Sequence, residues 1–289
     1  MRNIKLGCLG IFLIILLVIT VPAVIILIDS NTRLVTTEYK LHFENLPDSF
    51  DGYRIVLLAD QHGAEHGKNN ERLIEKIKAA DPDIIVIAGD LIDRYQPGRP
   101  VDDQIRTAQV LVQQLVTLAP VYYVTGNHEW DSGRVQPLLS MLKENDVDVL
   151  QNQYRTITAG SEKIIIAGVE DANGPADMKK PEEFIGNIRQ SEDPGFIVVL
   201  SHRNYSLSLY GRLGVDLVLS GHAHGGMVRL PFTDGLIGPQ QDFFPTYTSG
   251  IYTKDSTTMV VSRGLGNHLG WTRFLNNPQV VVVELRSKG

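Results

Sequence analysis

From Leu6 to Ile28 no charged residue interrupts the chain. As a helix those 23 residues would span about 34 Å, against about 30 Å of hydrocarbon in a bilayer. A buried core helix would carry a polar stripe, and this run has none. A signal peptide has an apolar stretch of about 7–15 residues and then a small-residue cleavage site. Val21-Pro22-Ala23 could pass as that site, but Val24 to Ile28 follow it and are still apolar. The pattern predicts an uncleaved, single-pass membrane anchor in residues 1–30, with residues 6–28 in the bilayer and a second unit over 31–289. Arg2, Lys5 and the amino terminus crowd the front of the run, and Asp29 borders its back. That asymmetry keeps the amino terminus in the cytoplasm and the remaining chain extracytoplasmic, although Arg33 and Lys40 weaken the contrast.

Beyond the anchor the period changes. Arg33 to Phe43 alternates and reads as an edge strand. A motif then recurs: an apolar, β-branched run ends in a cluster of Asp, His, Asn or Gly, usually followed by an amphipathic stretch. Tyr53–Ala59 ends at Asp60-Gln61-His62, and Asn69–Ala80 has helical spacing. Asp83–Ala88 ends at Gly89-Asp90-Leu91-Ile92-Asp93, and Val101–Leu118 is helical in period. Val121–Val124 ends at Gly126-Asn127-His128-Glu129, and Gln136–Glu144 is helical. Residues 148–168 read as a meander of short strands and Glu182–Gln190 as a short helix. Phe196–Leu200 ends at Ser201-His202, and Leu217–Leu219 at Ser220-Gly221-His222-Ala223-His224. Val228–Leu285 is rich in Gly, Pro and β-branched residues, as strands and long loops are. Strands that are apolar throughout are covered on both faces, so the expectation is one α/β domain behind one membrane helix.

Composition narrows the function. A chain of 289 residues, 43% hydrophobic and 21% charged, is neither disordered nor of low complexity. Its 33 acidic residues against 27 basic ones give a net charge of -6, the wrong sign for a protein that grips nucleic acid by its phosphates. The single cysteine, Cys8, excludes an intramolecular disulfide framework and a cysteine-rich zinc site.

Five of the eight histidines stand at the carboxyl ends of predicted central strands, the edge where open α/β sheets bind ligands. Asp60, Asp90, Asp93 and Asn127 share that edge. One such residue alone reads as a turn former or helix cap. Five clusters converging on one edge need a counter-charge, because so many ionisable groups cannot be buried together without one. Carboxylate, amide oxygen and imidazole suit Mn²⁺, Fe²⁺ or Zn²⁺. In Asp60-Gln61-His62 the i, i+2 spacing would set both ligands on one side of an extended chain, and His222-Ala223-His224 would do the same. No convincing Gly-x-Ser-x-Gly elbow and no phosphate-binding P-loop is present, which argues against a serine hydrolase or an NTPase.

Taken in order, Asp60-Gln61-His62, Gly89-Asp90-Leu91-Ile92-Asp93, Gly126-Asn127-His128-Glu129, His202 and Gly221-His222-Ala223-His224 resemble the five motifs of the calcineurin-like metallophosphoesterases. The resemblance covers about residues 50 to 285. It is nearest to the membrane-associated YkuE/YaeI-like branch, related to LpxG-type pyrophosphatases, through Gly-His-x-His-Gly-Gly and Arg263-Gly264-Leu265-Gly266. It implies a four-layer α-β-β-α sandwich and two divalent ions, Mn²⁺ first, with Fe²⁺ or Zn²⁺ as alternatives. By matching positions, Asp60, His62, Asp90 and His224 hold one ion. Asp90, Asn127, His202 and His222 hold the other. His128 resembles the family's proton donor, and Asp93 the carboxylate that orients it. Met227 and Arg203-Asn204 depart from the family pattern without touching a ligand position.

The implied reaction is attack of a metal-bridged hydroxide on a phosphodiester or pyrophosphate in a phosphorylated small molecule, a lipid or a cell-envelope substrate, carried out by a monomer with no nucleic-acid partner. The competing readings are a nucleoside-diphosphate (UDP) acyl-sugar pyrophosphatase and, from another class, a non-catalytic metal-bound scaffold. Arg94, Arg203, Arg263 and Arg273 could reach a substrate phosphate or be ordinary charges. His42, His66 and His268 read as solvated or loop residues, and Glu129 as a helix-start or supporting residue. Phe243-Phe244 and Trp271 read as core, or as interfacial aromatics beside an anchor.

Overall fold

The structure is a computed structural model that describes residues 2–191, 195–238, 242–267 and 272–288. His268 and Trp271 lie outside the described residues. Helix α1 (Arg2–Thr32) is continuous. Among the described residues it is the one helix long and apolar enough to cross a membrane, and its apolar stretch packs against nothing. Large side chains from Leu9 to Ile28 stand exposed along it.

The alternation within each apolar run builds the layers. Along β2 (Arg54–Leu58), Ile55 and Leu57 face one core while Val56 and Leu58 face another. Along β3 (Ile84–Ala88), Ile84, Val86 and Ala88 join the first core, and Ile85 and Ile87 the second. Both strands are covered on both faces, so they show no polar side. They pair in parallel with each other and with β4 (Val121–Val124) and β5 (Val147–Val149). With β1 (Val35–Phe43) at one edge and β14 (Gln279–Ser287) inserted beside it, they form a six-stranded sheet in the order β1-β14-β2-β3-β4-β5. A second six-stranded sheet runs β12-β13-β9-β8-β7-β6. Its strands are β6 (Gln153–Ala159), β7 (Glu162–Val169), β8 (Ile197–Ser201), β9 (Leu217–Ser220), β12 (Gly250–Lys254) and β13 (Thr257–Val261). A two-stranded ribbon, β10 (Val228–Arg229) with β11 (Gly235–Ile237), stands apart from both.

The two sheets face each other across one apolar core. The first sheet is covered outside by α2 (Glu71–Ala79), α3 (Val101–Leu115) and α5 (Val135–Glu144). The second is covered by α6 (Pro181–Ser191) and α7 (Leu207–Arg212). The helices dock through apolar stripes at helical spacing, as Ala108, Leu111, Val112 and Leu115 do on α3. Leu111, Val112 and Leu115 each contribute about 1.5–3 kcal/mol when taken out of water. The expected four-layer α/β sandwich is what forms.

Three details differ from the sequence expectations. The segment expected as one meander is split: β5 closes the first sheet, and β6 and β7 open the second as a hairpin. The helix expected over Asn69–Ala80 begins as a separate turn at Lys68–Asn70. The short helices α4 (Asn127–Asp131) and α7 have no counterpart in the periodicity.

Candidate active site

The carboxyl ends of β2, β3, β4, β8 and β9 meet along one edge of the sandwich. Immediately past those ends the chain turns sharply. Asp60, His62, Asp90, His222 and His224 hold φ of 50°, 47°, 51°, 68° and 49°. This left-handed region is uncommon for residues with a Cβ and recurs at functional sites. The i, i+2 pairs therefore converge by tight left-handed turns rather than along an extended chain, contrary to the spacing argument. Glycine makes room for the turns: a Cβ on Gly89, itself at φ +80°, would lie 2.6 Å from Gly126 N and 2.7 Å from His202 Nδ1.

Two donor sets result. In the first, His62 Nε2 and His224 Nε2 approach to 3.1 Å. Asp90 Oδ2 lies 3.7 Å from the former ring and Asp60 Oδ1 3.7 Å from the latter. In the second, His202 Nε2 lies 3.2 Å each from Asp90 Oδ2, Asn127 Oδ1 and His222 Nδ1. Asp90 belongs to both. Asp60 is fixed by the backbone N–H of His222, which donates to its Oδ1 at 2.9 Å. His202 Nδ1 donates to the Ala88 carbonyl at 2.8 Å, which leaves Nε2 as the nitrogen that faces the cluster. The carboxylate and imidazole members are all buried, and within each set their donor atoms lie within 4.8 Å of one another.

The electrostatics call for positive charge. Burial pushes the Asp60 carboxyl up to about 7, against the pull of His202. Burial also works against Asp90, but His202, His128 and His62 outweigh it and hold that carboxyl well below the usual range. Burial is likewise overcome at His202, which Asp90 raises to about 10. His222 is pushed down to about 3 by burial and by His202 beside it. The buried His222 Nε2 and His224 Nδ1 have no hydrogen-bond partner. Lone-pair nitrogens and carboxylate oxygens packed this closely out of water fit a pair of divalent cations.

Next to the cage, His128 Nδ1 lies 2.9 Å from Asp93 Oδ1, and His128 Nε2 turns toward Asp90 Oδ2 at 3.9 Å. Burial disfavours its charged form, yet Asp93 and Asp90 raise the ring above the ordinary histidine value. Glu129 is buried and accepts from the N–H groups of Asp90, Leu91, Ile92 and Gly126 at 3.0, 2.6, 3.3 and 2.7 Å. It clamps the β3 and β4 turns together, a supporting role. A cleft of 160 Å³ lined by Tyr205, His222, Asp242, Pro245 and Thr246 opens beside the second donor set.

The remaining candidates scatter. Arg203 is tied in a two-pronged pair to Asp171 at 2.7 and 2.9 Å, and Arg94 pairs with Asp131 at 3.2 Å. Arg263 is partly buried, and burial together with Arg229 holds its guanidinium below the usual range. Arg273 is fully buried and donates to Gly266 O at 2.7 Å. Its position under the site carried no sequence signal. His42 is exposed as expected. His66 is not solvated: it is buried, with Nε2 3.0 Å from Leu265 O. Phe243 and Phe244 are not core, at 76% and 75% exposed.

The family model for calcineurin-like phosphoesterases matches residues 53–226, which takes in every residue of both donor sets. The chain belongs to that family. This phosphoesterase is 30% identical to the metallophosphoesterase YkuE of Bacillus subtilis, over 87% of its own length and 85% of the relative's. It is 27% identical to a transmembrane protein with metallophosphoesterase domain from Danio rerio, over 94% of this chain and 62% of that one. Among solved structures, the NAD nucleotidase of Haemophilus influenzae superposes with a TM-score of 0.49 at 15% identity, covering 76% of this phosphoesterase and 50% of that chain.

Proposed function

We propose that the protein is a membrane-anchored, two-metal phosphoesterase. Residues 1–30 anchor it, and residues 31–289 form an extracytoplasmic, monomeric catalytic unit. It cleaves phosphodiester or pyrophosphate bonds in a lipid or cell-envelope substrate, with Mn²⁺ as the first candidate metal. The observation that carries this reading is the pair of buried donor sets sharing Asp90. Asp60, His62, Asp90 and His224 would hold one ion, and Asp90, Asn127, His202 and His222 the other. Bound there, two divalent ions supply Lewis acidity toward the phosphoryl oxygens and an acidified water. Asp90 balances both charges. Asp93 keeps the proton on His128 Nδ1 and fixes the ring, so Nε2 can deliver a proton to the departing oxygen, a contribution of about 10²–10⁴ in rate.

The test separates holding metal from moving a proton. Asp90→Asn removes the shared charge, so bound metal should fall below two ions per chain and turnover should collapse. His128→Ala should keep its metal and lose roughly 10²-fold or more in kcat. Metal analysis beside turnover of a soluble diester reads both, and equal metal loss in the two variants would overturn the role assignment.

A further inference from the structure

The strand register fixes which edge of the sandwich meets the end of α1. Val35, three residues past Thr32, pairs with Gln279 on β14. β14 runs antiparallel to β2, with Val281 opposite Leu57, and two further steps along that register set Gln279 level with Ala59. At about 4.8 Å per strand spacing, the start of β1 lies roughly 10 Å to the side of Asp60. β1 is therefore antiparallel to β2, β3 and β4 and enters the sheet at the edge that carries the donor sets.

The junction is bonded to that edge. Asn31 Oδ1 accepts from Arg273 N at 3.1 Å and Asn267 Nδ2 at 2.9 Å, while its own Nδ2 donates to Arg273 O at 2.9 Å. Asn277 Nδ2 donates to Asp29 O at 2.8 Å. Arg273 donates to Gly266 O, and Gly266 N donates to Asp60 O at 2.7 Å. A relay of hydrogen bonds thus runs from the helix end to a metal-set residue.

Beside Arg273, Phe274 holds the ribbon: Arg229 N donates to Phe274 O at 3.0 Å and Phe274 N to Met227 O at 3.2 Å. Past β10 come Leu230 and Phe232, 46% and 107% exposed. Phe243 and Phe244 lie between Asp242 and Pro245, which line the cleft beside His222. Phe243 and Phe244 are bared beside the mouth of a polar site, and Phe244 N donates to Leu236 O of β11 at 2.9 Å. The turn of that same ribbon bares Leu230 and Phe232. Exposed apolar surface of this kind marks a contact. The docked end of α1 names its occupant, and Phe and Leu side chains bury at the boundary of headgroups and acyl chains.

We propose that Leu230, Phe232, Phe243 and Phe244 enter the interface of the same bilayer that α1 crosses. The cleft then opens onto that leaflet, and phosphoesters in its lipid headgroups are the substrates. This rests on the anchored, two-metal reading above. It adds the orientation of the site and the physical state of the substrate.

The experiment uses the full chain in phosphatidylcholine–phosphatidylglycerol vesicles carrying nitroxide-labelled lipid. In a Cys8→Ser background, a fluorophore is placed by Phe232→Cys, Phe243→Cys, Ile14→Cys in α1, or Ser49→Cys on the opposite edge. Labels at 14, 232 and 243 should be quenched severalfold more than the label at 49. Quenching at 14 with 232 and 243 no different from 49 would overturn the proposal while the anchor stands, and would reassign the patch to a protein partner. No quenching at 14 would remove the anchor and the proposal with it. In a second arm, the double variant Phe232→Ser, Phe243→Ser should lose about tenfold in kcat/KM on vesicle phospholipid and keep its rate on soluble bis(p-nitrophenyl) phosphate. Equal losses on the two substrates would overturn the substrate assignment. Failure of the unsubstituted chain to cleave either one is failure of the two-metal reading, and the quenching pattern then decides the docking by itself.

Discussion

Gly221 shows how little space the residues of the site leave one another. A Cβ there would lie 2.6 Å from both Asp60 Oδ2 and Ala59 Cβ, so an added methyl must displace the Asp60 carboxylate and shift the chain at Ala59 as well. Gly221→Ala should therefore lower metal content and turnover together. Gly186, inside α6 with nothing within 4 Å of its would-be Cβ, is the contrast: Gly186→Ala should leave turnover unchanged and add about 0.5–1 kcal/mol of stability. His66 carries a pH signature. Burial pushes it down to about 4 from an ordinary 6.5, so the unfolded chain takes up a proton that the folded chain refuses. Its contribution is fully present above pH 6.5 and drains as pH falls toward 4, by up to about 3 kcal/mol. Thermal unfolding of the full chain in detergent at pH 7.5 and 5 should show that loss, with a smaller one in His66→Gln. Both donor sets were legible in the sequence, because Asp, His and Asn after apolar strands announce their chemistry through residue type. Arg273 and His66 were not. Their burial is imposed by loops that fold over them, and no local pattern encodes such a cover.

Elements supply the rigidity. Glu129, in α4, accepts four backbone N–H groups from two different turns. Removing the acceptor strands buried donors at about 1–3 kcal/mol each before relaxation. Glu129→Ala should accordingly lower the unfolding midpoint by several degrees and take turnover with it, although Glu129 itself is in neither donor set. The β2, β3, β4, β8 and β9 runs were readable because strands buried on both faces are uniformly apolar. α4 and α7 were not, since five and six residues are too few for a 3.6-residue period to register. The division of β5 from β6 between two sheets was also hidden, because pairing partners far along the chain decide it.

For the whole molecule, α1 and the sandwich make separable demands. The full chain should sediment with membranes and resist high-salt washing, whereas a chain beginning at Asn31 should be soluble and folded, because the apolar surface of α1 packs against nothing. Beginning at Leu34 instead removes Asn31 from Arg273 and Asn267 and should lower both thermal midpoint and turnover. Release of the full chain by salt alone would count against a spanning helix.

The position of β14 has a consequence for how the protein is made. β14 lies between β1 and β2, so β1 has no native neighbour, and β2 only β3, until Gln279–Ser287 has left the ribosome. The helix ahead of them emerges more than 200 residues earlier. During synthesis β2 to β5 can pair as they emerge, while β1 waits for β14, so that edge of the first sheet is the last part of it to close. Nascent chains stalled before Gln279 should remain open to added protease along β1, and those carrying β14 should close.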